Sequence, residues 1–250
     1  MSGHSKWASI KHKKGAADAK RGKVFTKIIR EIAVAARAGG GDPDKNPRLR
    51  KAIQDAKNAN MPADNIKRAV LKGTGQLEGV SYEEAIFEGY GPGGVAIYLT
   101  ILTDNRNRTV SEIRHIFSKN GGQIGTQGCV AYRFKRGGYI DIEKTAVAED
   151  KLMDIALNAG AVDITDEGDT WEVITTPDNF DGILEAIKKA GIEVVDSTNG
   201  YIPEDYTKVE GKQAHQTLKL VEELEDHDDV QTVSANFDIS PEDLASYENS

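Results

Sequence analysis

The spacing of apolar residues changes at Gly75, and that change constrains the fold more than any other feature of the chain. Before it, apolar side chains recur at helical spacing in three stretches separated by Gly and Pro. In "KRGKVFTKIIREIAVAARAGG", Phe25, Ile28, Ile29, Ile32 and Ala36 fall on one face of a helix that starts near Lys20 and stops at Gly39–Gly41. Lys20, Lys23, Lys27, Arg30 and Arg37 fall on the opposite face, as an exposed basic stripe. Pro47 opens a second helix with Leu49, Ala52, Ile53 and Ala56 inward, and Pro62 a third with Ile66, Ala69 and Val70 inward. Short connections between them imply an antiparallel three-helix bundle over residues 21–75.

Beyond Gly75 strands and helices alternate. "EAIFEGYGPGGVAIYLTILTD" reads as two strands around a glycine turn, followed by a helix from Thr109 to Asn120 that Thr109-Val-Ser-Glu112 would open as a capping box. A strand is expected in "CVAYRF". Between 138 and 203 the pattern is strand, helix, strand, strand, helix, strand, with "LMDIALNAGAVDI" and "ILEAIKKAGIEVV" aligning at their Ala-Gly pairs. This is the signature of a ferredoxin-like unit. The later helix "LKLVEELEDHDDV" and strand "VQTVSANF" lack local partners, so they are expected to complete the sheet begun before 137. The expected fold is therefore α+β: a basic flexible arm (1–20), the bundle (21–75), one ferredoxin-like α+β domain from 76–137 plus 204–240, a second inserted at 138–203, and a tail at 241–250.

Charge is distributed as unevenly as periodicity. The 250 residues carry a net charge of −8, yet the first 75 hold 18 Lys and Arg against 6 Asp and Glu. The rest hold 14 basic and 34 acidic side chains. Phosphate would be repelled by that acidic body and drawn to the basic end. The opening "MSGHSKWASIKHKK" supplies Lys6, Lys11, Lys13 and Lys14 for phosphates, Trp7 for stacking on a base and His12 as a further donor, with Lys20, Arg21 and Lys23 continuing the patch.

Other chemistries find little support. The single Cys129 excludes a disulfide framework and a multi-cysteine zinc site, and the five His lack ligand spacing. "GYGPGG" fits the dinucleotide fingerprint through Gly89, Gly91 and Gly94, but the strand-like "VAIYLTI" follows where a helix is required. No cofactor, metal ion or catalytic residue is expected. Arg106 and Arg108 in "TDNRNRT" stand at a helix start, where the macrodipole disfavours cations. They could share an anion with the free N–H groups there, or pair with carboxylates such as Glu88 or the 222–229 cluster. "VAIYLTIL" is too short to span a bilayer and no signal peptide is evident, so a cytoplasmic setting without membrane contact is expected.

"GHSKWASIKHKKGAADAKRGKVFTKIIREI", "GYGPGG", "TDNRNRTVSEIRHIFSKNGG" and "YIP" closely resemble the YebC/PmpR family over nearly the whole chain. The resemblance implies a cytoplasmic bacterial protein with a helical N-terminal domain and two α+β domains, acting as a DNA-binding transcriptional regulator. It also implies an alternative, a translation factor on structured RNA, since mitochondrial relatives resemble translational activators and bacterial ones are linked to stalled ribosomes. The residues themselves show no helix-turn-helix spacing or Arg/Asn/Gln cluster for base readout. A basic arm with one aromatic suits folded RNA. Either way the reading is a non-enzymatic nucleic-acid-binding regulator of gene expression, its acidic body available to a protein partner.

Overall fold

A computed structural model describes residues 17–248, with side chains from 22 to 247. Among the described residues three helices come first: α1 (Ala17–Gly39), α2 (Pro47–Asn58) and α3 (Ala63–Gly73). Residues 17–20, expected in the arm, are already helical. Ile32, Ala35, Ala36, Leu49, Ala52, Ala56, Met61 and Ala69 form the bundle core, with Phe25, Ile28, Ile29, Ile53, Ile66 and Val70 packed around it. The core is rich in Ala, so the helices approach closely, and Gly73 is where α3 meets α1. A Cβ there would lie 2.4 Å from the Ala33 carbonyl oxygen. Asn46 joins the first two helices. Its Oδ1 accepts from Leu49 N at 3.1 Å to cap α2, and its Nδ2 donates to the carbonyls of Ala35 and Gly40 at the end of α1.

The first sheet comprises β1 (Glu83–Tyr90), β2 (Ala96–Thr103), β3 (Gln123–Ile124) and, far along the chain, β9 (Val230–Ala235). Its order is β3-β1-β2-β9, all antiparallel. The glycine turn closes the β1–β2 hairpin through a short 3₁₀ turn in which Gly93 and Gly94 have φ of 70° and 82°, a region open to glycine. Two helices cover one face, α4 (Arg106–Lys119) and α7 (Gly211–Glu225), burying Ile113, Phe117, Leu218, Val221 and Leu224 against Ile97, Leu99 and Ile101. On the opposite face Ala96 and Tyr98 pack against Val130, Phe134 and Tyr201. A strand buried on both sides explains the unbroken apolar run "VAIYLTIL".

The second sheet is built from β4 (Phe134–Glu143), β5 (Asp163–Asp166), β6 (Thr170–Thr175) and β7 (Asp196–Pro203) in the order β5-β6-β4-β7, all antiparallel. With α5 (Glu149–Asn158) and α6 (Phe180–Lys189) it has the ferredoxin-like order. The sequence repeat marks its helix ends: Gly160 and Gly191 stop α5 and α6 with φ of 95° and 76°. A parallel pair, β8 (Thr207–Val209) with β10 (Phe237–Ile239), and the helix α8 (Pro241–Glu248) complete the chain.

Three local expectations are corrected. "CVAYRF" is not a strand, because the carboxylate of Glu88 accepts from the backbone N–H groups of Gly128, Val130 and Ala131 and folds the segment into turns. The helix expected from Thr109 begins at Arg106. Asn105 Oδ1 caps it by accepting from Arg108 N at 3.1 Å, which leaves Thr109 buried inside the helix. Within the expected tail 241–250, the described residues 241–248 are not a tail, since Ser240 Oγ accepts from Asp243 N and Leu244 enters the core at 3% exposure.

Candidate nucleic-acid interface

Lys6, Trp7, Lys11, His12, Lys13 and Lys14 lie outside the described residues. Lys20 and Arg21 lie in the first turns of α1. Of the rest of the expected stripe, Lys23, Lys27 and Arg30 are only partly exposed, whereas Arg37 is exposed. Lys23 Nζ pairs with Asp226 at 3.0 Å, and Lys27 Nζ donates to the Glu225 carbonyl at 2.6 Å. Arg30 bonds the Asp229 carboxylate and the Asp228 carbonyl, and Arg37 donates to Ser81 Oγ. The reason is electrostatic. The turn after α7 combines the sequence "EDHDD" with the negative end of the helix dipole, and α1 packs Lys23, Lys27 and Arg30 against that turn. On the bundle, Lys57, Lys67 and Arg68 remain exposed and have no ion pair among the described residues.

Asp229 is the centre of this contact and is only 2% exposed. One carboxylate oxygen takes Arg30. The other accepts from Arg108 at 2.8 Å and from the hydroxyls of Thr109 and Thr103 at 2.5 and 3.1 Å. Burial by itself raises the pKa of this carboxyl. The Thr109 hydroxyl, Arg108, Arg30 and Thr103 together outweigh burial and bring it down to about 2. The group therefore ties α1, β2, α4 and the start of β9 into one polar joint.

Arg106 and Arg108 do not share a site. Arg108 pairs with Asp104 and Asp229, both at 2.8 Å, so the pairing with the 222–229 cluster is the one formed. Glu88 is committed to backbone amides instead. Arg106 sits with its guanidinium 5.9 Å from the Phe87 ring centroid. Glu112, His227 and Asp229 offer ligand atoms within 4.8 Å of one another. Their lone pairs are already engaged: His227 Nδ1 accepts from Asp229 N, its Nε2 meets Glu112 at 3.0 Å, and Asp229 holds two Arg and two Thr.

Sequence reasoning missed the joints of the bundle to the sheets. Arg48 pairs with Glu31 and Glu84, and Lys51 with Asp181 at 2.8 Å. It also missed Arg136, which β4 carries beside Tyr201 of β7. No local signal marks these residues, because each depends on contacts far apart in sequence.

An α-helical bundle joined to two sheet domains, with its cations turned partly inward, defines an α+β protein with a basic N-terminal face. Residues 5–76 match the family described as the TACO1/YebC protein N-terminal domain, and residues 82–237 match the TACO1/YebC second and third domain. The chain belongs to this family. It is 58% identical to a "Probable transcriptional regulatory protein" of Koribacter versatilis over 98% of both chains. A protein of the same description from Geobacter sulfurreducens is 57% identical, again over 98% of both. It is also similar to a crystal structure of a conserved hypothetical protein from Aquifex aeolicus, with 46% identity, a TM-score of 0.79, and coverage of 91% of this chain and 94% of that one.

Proposed function

We propose that the protein is a non-enzymatic, cytoplasmic regulator of gene expression that binds nucleic acid through its N-terminal arm and bundle. The observation that carries this reading is the separation of charge: 18 basic against 6 acidic side chains up to Gly75, and 14 against 34 beyond it. The arm residues Lys6, Lys11, Lys13 and Lys14, with Lys20 and Arg21, supply phosphate contacts, and Trp7 supplies a face for a base. Lys57, Lys67 and Arg68 extend this surface on the bundle. Lys23, Lys27 and Arg30 join it only when a polymer's phosphates displace the carboxylates and carbonyls of Glu225–Asp229 that now hold them. No described helix is long and apolar enough to cross a membrane, in keeping with a polymer rather than a bilayer as the partner.

The naming of the relatives as probable transcriptional regulatory proteins favours DNA as the ligand. One observation favours RNA, including the folded RNA of a ribosome: Lys23, Lys27 and Arg30 of α1 turn toward the acidic body, so this stretch of the helix does not offer its cations to a major groove. Crosslinking in cells, with sequencing of both bound DNA and bound RNA, separates the two. Discrete promoter sites mean a transcriptional regulator, and enriched ribosomal RNA means a translation factor. In vitro, replacing Lys11, Lys13 and Lys14 by Ala flattens the dependence of log affinity on log salt by about two units, at about 0.7–0.9 per phosphate contact. Trp7→Ala leaves that slope alone and weakens single-strand binding by about 1–3 kcal/mol. An unchanged slope in the triple variant refutes the phosphate-binding arm.

A further inference from the structure

The bundle, the first sheet and the ferredoxin-like unit enclose an open cleft of about 800 Å³. Four cations line it. Arg48 and Lys51 are neutralised, the first by Glu31 and Glu84 and the second by Asp181. Arg106 and Arg136 are not. Arg106 lies over Phe87, and Arg136 lies 5.4 Å from the ring centroid of Tyr201; neither has an ion pair among the described residues. Beyond Gly75 acidic side chains outnumber basic ones by 34 to 14. Two guanidiniums left without carboxylates in such a body mark a place where an anion would be favourable. Both are held in place, because each lies on an aromatic ring and Tyr201 is itself packed against Tyr98 with centroids 4.3 Å apart. A third group points to a ligand. The side-chain amide nitrogen of Gln231, on the cleft wall, is buried without a hydrogen-bond partner. An orphaned donor of this kind is costly unless something accepts from it.

We propose that this cleft binds a single-stranded nucleic-acid segment, with Arg106 and Arg136 on its phosphates and Gln231 donating to a base or sugar oxygen. The proposal rests on the nucleic-acid reading above and adds a site to it that is separate from the arm. A duplex keeps its bases paired and stacked, so a single strand is the form that offers free base faces and edges to the cleft. Arg side chains and an aromatic such as Tyr201, which line the cleft, are groups on which unstacked bases pack. An acidic peptide would also satisfy the charges, and the oligoglutamate arm of the test separates it from a nucleic-acid strand.

The test compares full-length wild type with Arg106→Ala/Arg136→Ala and with Arg106→Lys/Arg136→Lys, titrated with labelled oligouridylate and with a short DNA duplex across a salt series. The Ala pair should weaken oligouridylate binding and lower its salt slope by about 1.4, two contacts at about 0.7 each for a single strand. Duplex binding should stay unchanged, and the Lys pair should recover the slope. If the Ala pair leaves the oligouridylate slope unchanged while the Lys11, Lys13 and Lys14 variant flattens it, the cleft proposal fails and the arm reading stands. If neither variant changes it, both fail. Equal loss of oligoglutamate binding in the Ala pair would assign the cleft to acidic peptides and overturn the proposal. Should the Ala pair melt early, photocrosslinking of thiouridine-containing oligomer to wild type decides: crosslinks on the peptides carrying Arg136 or Gln231 support the site, and their absence overturns it.

Discussion

Replacing Asp229 by Ala should destabilise the protein by about 3 kcal/mol. Removing one partner of a buried ion pair costs about 3–5 kcal/mol, because the remaining charge is left uncompensated. Here the lower end applies. Arg108 keeps Asp104 and a 41% exposed side chain, so it can return to water, whereas Arg30 at 12% exposure cannot. The charge itself accounts for most of the effect. A carboxyl brought from 3.8 to about 2 contributes about 2 kcal/mol at neutral pH. Because the folded pKa lies below the unfolded one, that contribution is present above pH 3.8 and disappears as the pH falls through about 2. Asp229→Asn should therefore lose about 2 kcal/mol at neutral pH and little at the acid end, so its stability curve should be flatter than wild type across that window. Urea unfolding followed by circular dichroism gives the size, and amide exchange in α1 and β2 shows whether the joint is where the loss occurs. A loss below about 1 kcal/mol, or a coupling energy with Arg30→Ala below about 0.5 kcal/mol in a double-mutant cycle, would refute the reasoning.

Gly73→Ala gains about 1 kcal/mol of helix propensity but places a methyl 2.4 Å from the Ala33 carbonyl oxygen, so a net loss of about 1–2 kcal/mol is expected by thermal unfolding. Glu88→Ala strands the N–H of Val130, a fully buried residue, and should cost about 1–3 kcal/mol, with faster amide exchange confined to the loop ahead of β4. Asp226→Ala breaks only the exposed pair with Lys23, so stability should change by less than about 0.5 kcal/mol, while the salt slope for nucleic acid steepens as Lys23 is released. Calorimetry with NAD, FAD and ATP should be silent, because the glycine turn joins paired strands. Binding abolished by Gly91→Val would overturn that view.

Local physics was legible in the sequence. Helical spacing placed Ile32, Leu49, Ala52 and Ala69 in the bundle core, and the paired Ala-Gly repeats located the ends of α5 and α6. The β-branched run after "GYGPGG" identified a hairpin rather than a nucleotide loop. These features depend on residues within a turn or two of one another, where propensity and period are set. The errors share the opposite property. "CVAYRF" has strand composition, but Glu88, about forty positions earlier, supplies the acceptors that bend it. Thr109 looked like a cap because its hydroxyl had no visible rival for Asp229, which lies 120 residues away. The charge asymmetry between the halves was plain from counting, and it supports a basic end for nucleic acid. Counting could not show that the acidic half would fold back on the basic one. Charges act through space, and only the tertiary structure brings Asp226 and Asp229 to Lys23 and Arg30 and leaves Arg106 and Arg136 unpaired across a cleft.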